Sequence, residues 1–110
     1  MTVPNAERAI IAADKLRGYL LNLSHKRGGA KARLLLSFGY RSDNLQALEA
    51  DLRIQHLSLD VTGTSRNTYG VVYEIDGPIT TPSGRVVRFC SVWQIDTGAD
   101  APRFITMYPR

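Results

Sequence analysis

The sequence contains a single cysteine, Cys90, and has no long hydrophobic run. One thiol cannot form an internal disulfide or a metal site built from several thiolates. The longest apolar stretches, such as Leu34-Leu35-Leu36, are far shorter than the ~18 residues needed to cross a bilayer. The N-terminus also lacks the basic-then-apolar order of a secretory signal. We therefore expect a cytoplasmic protein, without a transmembrane helix, that is stabilised by packing alone.

The common cofactor motifs are missing as well. The chain has no His-x-x-x-His or Cys-x-x-Cys pair, no Walker-type phosphate loop and no dinucleotide fingerprint. Its 110 residues are 44% hydrophobic and 22% charged, which is ordinary for a globular domain and argues against disorder. These features predict one domain over residues 1–110 that uses neither a metal nor an organic cofactor.

Positive charge is concentrated near the start of the chain. The net charge is +4, and residues 1–35 contain seven Lys and Arg against two Asp and Glu. The densest cluster is the acid-free stretch 24–33, which contains His25, Lys26, Arg27, Lys31 and Arg33. Such a cluster favours a partner rich in phosphate or carboxylate groups. The alternative is a solvated basic turn that serves only solubility.

Hydrophobic periodicity predicts helices in the first half of the chain and strands in the second. After a short strand at 6–11, three helices are predicted: one from N-cap Asp14 to about residue 24, one over 30–38 with Gly39 following it, and one from N-cap Ser42 to about residue 54 or 56. The pattern indicates an α+β domain with about three N-terminal helices on an antiparallel sheet of about four strands.

The predicted strands cover residues 69–75, 85–95 and 103–108, and a further strand is suggested at 57–61. Turns are predicted at 77–78 and 82–84, and residues 62–67 are predicted to form a mobile loop. Trp93 lies in a strand rich in Val and Phe, which is typical of a core residue.

The two histidines are the candidates for proton transfer near neutral pH. His25 lies in the basic stretch, whereas His56 follows the third helix, where a helix cap or a surface side chain is the predicted role. Together with the amides at the start of the second helix and with Lys31, His25 would supply a base, oriented donors and a fixed charge to a scissile phosphate. The structural alternative is a histidine that caps the first helix.

Helix geometry separates the two cations of the second helix. At about 100° per residue, Lys31 projects from the edge of the apolar stripe formed by Ala30, Leu34 and Phe38, and Arg33 projects away from it. Lys31 can therefore approach a cleft beside the sheet. The alternative is a lysine that extends its ammonium to solvent.

The last predicted strand adds hydroxyl groups. Strict alternation would place Ile105 and Met107 on the core face and Phe104, Thr106 and Tyr108 on the opposite face. The hydroxyls of Thr106 and Tyr108 could then hydrogen-bond phosphate oxygens, and the ring of Phe104 or Tyr108 could stack on a base. An ordinary edge strand with a half-buried Tyr108 is the alternative.

Several short stretches occur in a characteristic order along the chain. They are Pro4-Asn-Ala-Glu-Arg-Ala9, Lys15-Leu-x-x-Tyr19-Leu-Leu-Asn22, Ser24-His25, Gly28-Gly-Ala-Lys31-Ala-Arg33, Gly39-Tyr40, Tyr69-Gly70, Gly77-Pro78, Trp93 and Pro102-Arg-Phe-Ile-Thr106-x-Tyr108-Pro. This order resembles a family of small bacterial domains of undetermined function, whose members occur free-standing beside a small antitoxin-like gene or at the C-terminal tip of large polymorphic toxins.

This resemblance implies a relation to the barnase, EndoU, colicin and RelE superfamily of toxin ribonucleases, which pack N-terminal helices on a curved antiparallel sheet. Those enzymes cleave RNA without metal and leave a 2′,3′-cyclic phosphate. Carried over to this chain, the resemblance implies that His25 is a base or acid, that Lys31 stabilises the phosphate, and that Thr106 and Tyr108 position it. Arg33 would guide the RNA backbone. One histidine cannot perform both proton transfers, so Tyr108 or Lys31 would be the second group.

The resulting hypothesis is a metal-independent endoribonuclease toxin that acts on tRNA or mRNA and is blocked by a small acidic antitoxin. The alternative is a non-catalytic module that binds nucleic acid or protein through the basic turn, with Lys26, Arg27 and Lys31 as its contacts. A third possibility is a degenerate member with only a structural or interaction role.

Overall fold

Helical segments come first in the chain, and a sheet follows. The computed structural model describes residues 1–20 and 29–110. The helical part contains a 3₁₀ turn (Ala6–Arg8), α1 (Ala13–Lys15, continued by a π-helical turn over Leu16–Leu20), α2 (Gly29–Ser37) and α3 (Leu45–Asp51, continued by a π-helical turn over Leu52–His56). The strands are β1 (Gly63–Asn67), β2 (Gly70–Thr80), β3 (Val86–Asp96) and β4 (Arg103–Pro109). The predicted α+β class, with about three helices, is confirmed.

The four strands form one open antiparallel sheet in the order β1-β2-β3-β4. β2 and β3 pair along their whole length, from Gly70 opposite Asp96 to Thr80 opposite Val86. The predicted opening strand at 6–11 is reduced to a single parallel bridge between Ile10 and Arg103, at the outer edge of β4. Among the described helices, none is long and apolar enough to span a membrane.

Two predictions at the β1 edge of the sheet are wrong. The predicted loop at 62–67 contains β1, whose residues are almost all exposed, so no buried face imposed the alternation of polar and apolar residues by which a strand is identified. The predicted turn at 77–78 lies inside β2 instead. β1 pairs with β2 only as far as Glu74, so Pro78 has a strand neighbour on one side only, where a missing N–H is tolerated.

The pairing of β3 with β4 contains one irregularity. Val92 pairs with Thr106 but Trp93 pairs with Phe104, which leaves Ile105 as the extra residue of a β-bulge. Phe104 is consequently buried, with its ring 5.2 Å from the Trp93 ring, which lies in the core as predicted. The prediction that Phe104 shares a face with Thr106 is wrong, because the extra residue interrupts the alternation along β4.

The hydrophobic core lies between the helices and one face of the sheet. The buried stripe of α2 and the turn after it contains Ala32, Leu35 and Phe38, whereas Ala30 is exposed. The stripe is therefore rotated slightly from its predicted position, and half-buried Lys31 still lies at its margin. This geometry lets the Lys31 stem pack while its ammonium extends beyond the core.

A buried hydrogen-bond chain joins the end of α3 to the sheet. Trp93 Nε1 donates to Ser91 Oγ at 2.9 Å, Ser91 Oγ lies 2.5 Å from His56 Nδ1, and His56 Nε2 lies 3.1 Å from the Gly77 carbonyl oxygen. Because a carbonyl can only accept, Nε2 carries the proton and Nδ1 accepts from Ser91. His56 is fully buried, so its predicted role as a helix cap or surface side chain is wrong.

Burial of His56 makes the fold sensitive to acid. Desolvation lowers the pKa of His56 below its ordinary value of 6.5, against smaller opposing effects of the Gly77 carbonyl and the Asp76 charge. Below pH 6.5 the unfolded chain therefore binds a proton that the folded chain does not. We expect the free energy of unfolding to fall as the pH drops below about 6.5, by up to about 1.4 kcal/mol per pH unit.

Urea unfolding between pH 7.5 and 5.5 measures this effect. The non-titrating variant His56→Gln should be less stable at pH 7.5 and should lose less further stability on acidification than the wild type. An equal pH dependence in the two proteins would contradict the assignment of a neutral buried His56.

Candidate functional site

The face of the sheet opposite the core, here called the outer face, carries a group of polar side chains. Strand register aligns its central residues in two adjacent rows across β2, β3 and β4, namely Glu74, Val92 and Thr106 in one and Asp76, Cys90 and Tyr108 in the next. Thr106 and Tyr108 thus lie on the face away from the core, as the sequence predicts, although the bulge rather than strict alternation puts them there.

Lys31 and Thr106 are in direct contact. Lys31, the third residue of α2, donates a hydrogen bond from Nζ to Thr106 Oγ1 at 3.1 Å in a partly buried setting. The Thr106 hydroxyl accepts this bond and keeps its own hydrogen for another acceptor. A fixed cation and a hydroxyl donor therefore stand together where α2 meets β4, and together they suit an anionic oxygen.

Tyr108 is the second hydroxyl of the closing strand on this face. It pairs directly with Cys90 across the strands, and the Arg110 guanidinium lies 5.8 Å from the centre of its ring. Hydrogen bonding to the Cys90 thiol, followed by desolvation and the nearby Glu74 charge, raises the pKa of Tyr108 against the opposing charge of Arg110. Tyr108 therefore remains protonated at neutral pH and can donate a hydrogen bond.

Glu74 is a residue of this face that the sequence analysis missed. It lies in the same row as Thr106, and its neighbour in β1 is Gly63, where an added Cβ would sit 3.4 Å from Glu74 Oε2. Within the described ranges, no cation forms an ion pair with its carboxylate. The available signal was its position as the one acidic residue inside the predicted strand 69–75.

Two arginines share the Asp76 carboxylate on the outer face, in the row that also contains Cys90 and Tyr108. Arg88 Nε donates to Asp76 Oδ1 at 3.0 Å, and Arg110 Nε donates to Asp76 Oδ2 at 3.1 Å. Arg110 also hydrogen-bonds through its backbone N–H to the Arg88 carbonyl oxygen. The sequence analysis named none of these three residues, because 76, 88 and 110 are far apart in the chain and only strand pairing joins them.

A polar network lies at the opposite end of the outer face, where β3 ends and β4 begins. Arg103 contacts both carboxylate oxygens of Asp96, Gln94 Nε2 donates to the same carboxylate at 2.6 Å, and Asn67 Nδ2 donates to Gln94 Oε1. Arg103, with Gln94 as a second donor, lowers the pKa of Asp96. These groups satisfy one another, so they tie the strand ends together rather than offer a vacant site.

Of the remaining predicted site residues, the structure describes Arg33 and Phe104. His25, Lys26 and Arg27 lie outside the described residues. Arg33 is exposed on α2, pointing away from the core as predicted, and Phe104 is part of the core. No group of three or more His, Cys, Asp or Glu side chains that could hold a metal ion occurs in residues 1–20 and 29–110.

Comparison with known proteins identifies the family. The model of a domain of unknown function, DUF6883, matches residues 2–110, and the chain belongs to this family. Among solved structures, the chain is similar to a contact-dependent growth inhibition toxin–immunity protein complex from Klebsiella pneumoniae 342, with a TM-score of 0.71 and 20% sequence identity. The similarity covers 92% of this chain and 99% of that chain, and it shows a shared fold. No curated protein matches.

The environment of Tyr108 can be tested by titration. We expect its pKa to lie above 10, and Cys90→Ala should move it back towards 10 because the thiol is the main cause of the shift. Carbon-13 NMR of the tyrosine ring carbon that bears the hydroxyl would follow the titration, with Tyr108→Phe assigning the signal. An unchanged pKa in Cys90→Ala would contradict the contact between these two side chains.

Proposed function

We propose that this chain is a metal-independent endoribonuclease toxin that cleaves RNA by attack of the 2′-hydroxyl on the adjacent phosphate. The observation that carries the proposal is the hydrogen bond between Lys31 and Thr106, which joins a cation from the helical part to a hydroxyl from the closing strand. The fold shared with a contact-dependent growth inhibition toxin–immunity protein complex supports a toxin role.

The reaction needs no co-reactant, because the nucleophile and the leaving group both belong to the RNA. A base takes the proton of the 2′-hydroxyl, the 2′-oxygen forms a bond to phosphorus, and the bond from phosphorus to the 5′-oxygen breaks. An acid returns a proton to that 5′-oxygen. The products are a 2′,3′-cyclic phosphate and a 5′-hydroxyl, and the negative charge that develops on the phosphorus-bound oxygens is the charge that the protein must stabilise.

The residues near Thr106 have chemistry that suits these steps. Lys31 would stabilise the developing charge, and the Thr106 hydroxyl would hold the Lys31 ammonium in place while donating to a phosphate oxygen. Tyr108, protonated at neutral pH, would donate a second hydrogen bond. Arg33, exposed on α2, would guide the RNA backbone through its charge.

Two proton-transfer groups are needed, and the chain can supply both. His25 remains the first, as base or acid. For the second we propose Glu74 in place of Tyr108 or Lys31, because its carboxylate lies in the same row as Thr106 and carries no ion-pair partner among the described residues. A carboxylate that is not tied to a cation can accept a proton from the substrate.

A toxin of this kind requires a neutralising partner. The chain carries a net charge of +4, and Lys31, Arg88 and Arg110 all lie at the outer face. We propose a small acidic antitoxin or immunity protein that covers this face, since opposite charge speeds association and excludes RNA.

Cleavage should depend on Lys31. Purified protein incubated with tRNA and total RNA in EDTA is expected to produce fragments that end in a 2′,3′-cyclic phosphate. Lys31→Met keeps the aliphatic stem and removes the charge, and it should lower the cleavage rate by about 10²–10³-fold. Lys15→Met, a matched change on α1, should leave the rate within about twofold.

Absence of cleavage by the wild-type protein on either RNA would overturn the ribonuclease function. If such a protein still bound RNA, and charge reversal at Lys26, Arg27 and Lys31 weakened binding while His25→Ala did not, the non-catalytic binding module would be the correct function.

The proton-transfer roles predict a large loss of kcat/KM when either group is removed. His25→Ala and Glu74→Gln should each lower the rate by about 10²–10⁴-fold. A rate within about twofold of the wild type in Glu74→Gln would exclude Glu74 as a proton-transfer group and return that role to Tyr108 or Lys31.

A further inference from the structure

The two arginines at Asp76 carry two positive charges, whereas the Asp76 carboxylate carries one negative charge. One guanidinium would neutralise Asp76, yet Arg88 and Arg110 both bind it. The second arginine adds repulsion between like charges at close range, and exposed ion pairs contribute little stability in return. An additional anion at this point would relieve the repulsion.

The two guanidiniums are also oriented to bind such an anion. Each uses Nε to contact Asp76, and no described residue accepts a hydrogen bond from the Nη atoms of either one. The Asp76 side chain is only 23% exposed, whereas those of Arg88 and Arg110 are 62% and 49% exposed. The less exposed carboxylate therefore fixes both arginines through their Nε atoms. Their Nη atoms remain as donors on the solvent side, in the planar guanidinium geometry that suits phosphate.

Arg103, the first residue of β4, provides a comparison with a purely structural arginine. It contacts Asp96 through both Nε and Nη2, one cation to one carboxylate, and Gln94 completes the hydrogen bonding. At Asp76, the described part of the chain shows no such third donor, and two cations meet one carboxylate.

The position of the pair relates it to the Lys31–Thr106 contact. Thr106, Tyr108 and Arg110 are successive outward positions of β4 and its extension, and Arg110 lies against the Tyr108 ring. Four residues of strand separate Thr106 from Arg110 by about 13 Å. This separation is too large for one phosphate group to bridge, but an extended RNA strand lying along β4 passes both points.

We infer that Arg88 and Arg110 form a second phosphate subsite, which binds another phosphate of the same RNA strand whose scissile phosphate lies at Lys31 and Thr106. The substrate is then a single-stranded RNA segment of several nucleotides that runs along β4 on the outer face. The inference rests on the proposed ribonuclease function for its choice of ligand.

Binding of short oligonucleotides tests the subsite separately from cleavage. The probes are fluorescent 2′-O-methyl oligonucleotides of two to five nucleotides, which cannot be cleaved because the 2′-hydroxyl is blocked, with affinity measured by anisotropy. For the wild-type protein, we expect a gain of about tenfold in affinity at the length that first reaches both subsites. Arg88→Gln and Arg110→Gln should remove this gain and leave dinucleotide affinity within about twofold.

The matched control is Arg66→Gln. Arg66 is exposed on β1 but pairs with Val71, so it lies on the face opposite Glu74 and Asp76. The Arg66→Gln variant should bind probes of every length as the wild type does.

Salt dependence gives a second readout for Arg88→Gln and Arg110→Gln. For the long probes, the slope of log affinity against log salt should be smaller in magnitude than that of the wild type by about 0.7 for each lost phosphate contact, as for single strands.

The outcomes separate this inference from the proposed function. If Arg88→Gln and Arg110→Gln bind all lengths like the wild type while unmodified RNA is cleaved, the subsite is wrong and the ribonuclease function stands. If these variants lose the length-dependent gain but the wild type cleaves no RNA, the subsite stands and the ribonuclease function is wrong. If Arg88→Gln and Arg110→Gln weaken binding of an acidic protein but leave oligonucleotide binding unchanged, the RNA subsite is also wrong.

Discussion

The β-bulge at Ile105 is the constraint on which both the core and the candidate site depend. One extra residue in β4 lets Phe104 pack on Trp93 inside the core and still places Thr106 on the outer face. Without it, strict alternation would turn Phe104 and Thr106 to the same side. The bulge thus buries the large ring and leaves the hydroxyl where Lys31 of α2 can reach it.

The fold was predictable where burial imposes a period on the sequence. α3 and β3 were found because their buried residues recur at helical and strand spacing. An exposed edge strand such as β1 has no such pattern. The sequence around Pro78 predicts a turn because it does not reveal that β2 lacks a neighbour there. His56 was misjudged because its partners Ser91 and Gly77 come from distant strands.

The candidate site was predictable only in part, for a related reason. Lys31 and Thr106 were singled out separately, from a helix edge and a strand face, and the structure brings them together. Glu74 and the arginine pair at Asp76 could not be predicted as site residues, because strand pairing brings them to the site and the sequence does not specify which residues pair. The predicted role of His25 stays a prediction, since that residue lies outside the described ranges.

The central claim is that Lys31 and Thr106 act as one phosphate-binding unit. A double-mutant cycle on kcat/KM for RNA cleavage tests it most directly, using Lys31→Met, Thr106→Val and the combined variant. If Lys31 and Thr106 act as one unit, the rate loss of the combined variant should be clearly smaller than the product of the two single losses, because residues in contact are not independent. Losses that multiply independently would contradict the claim.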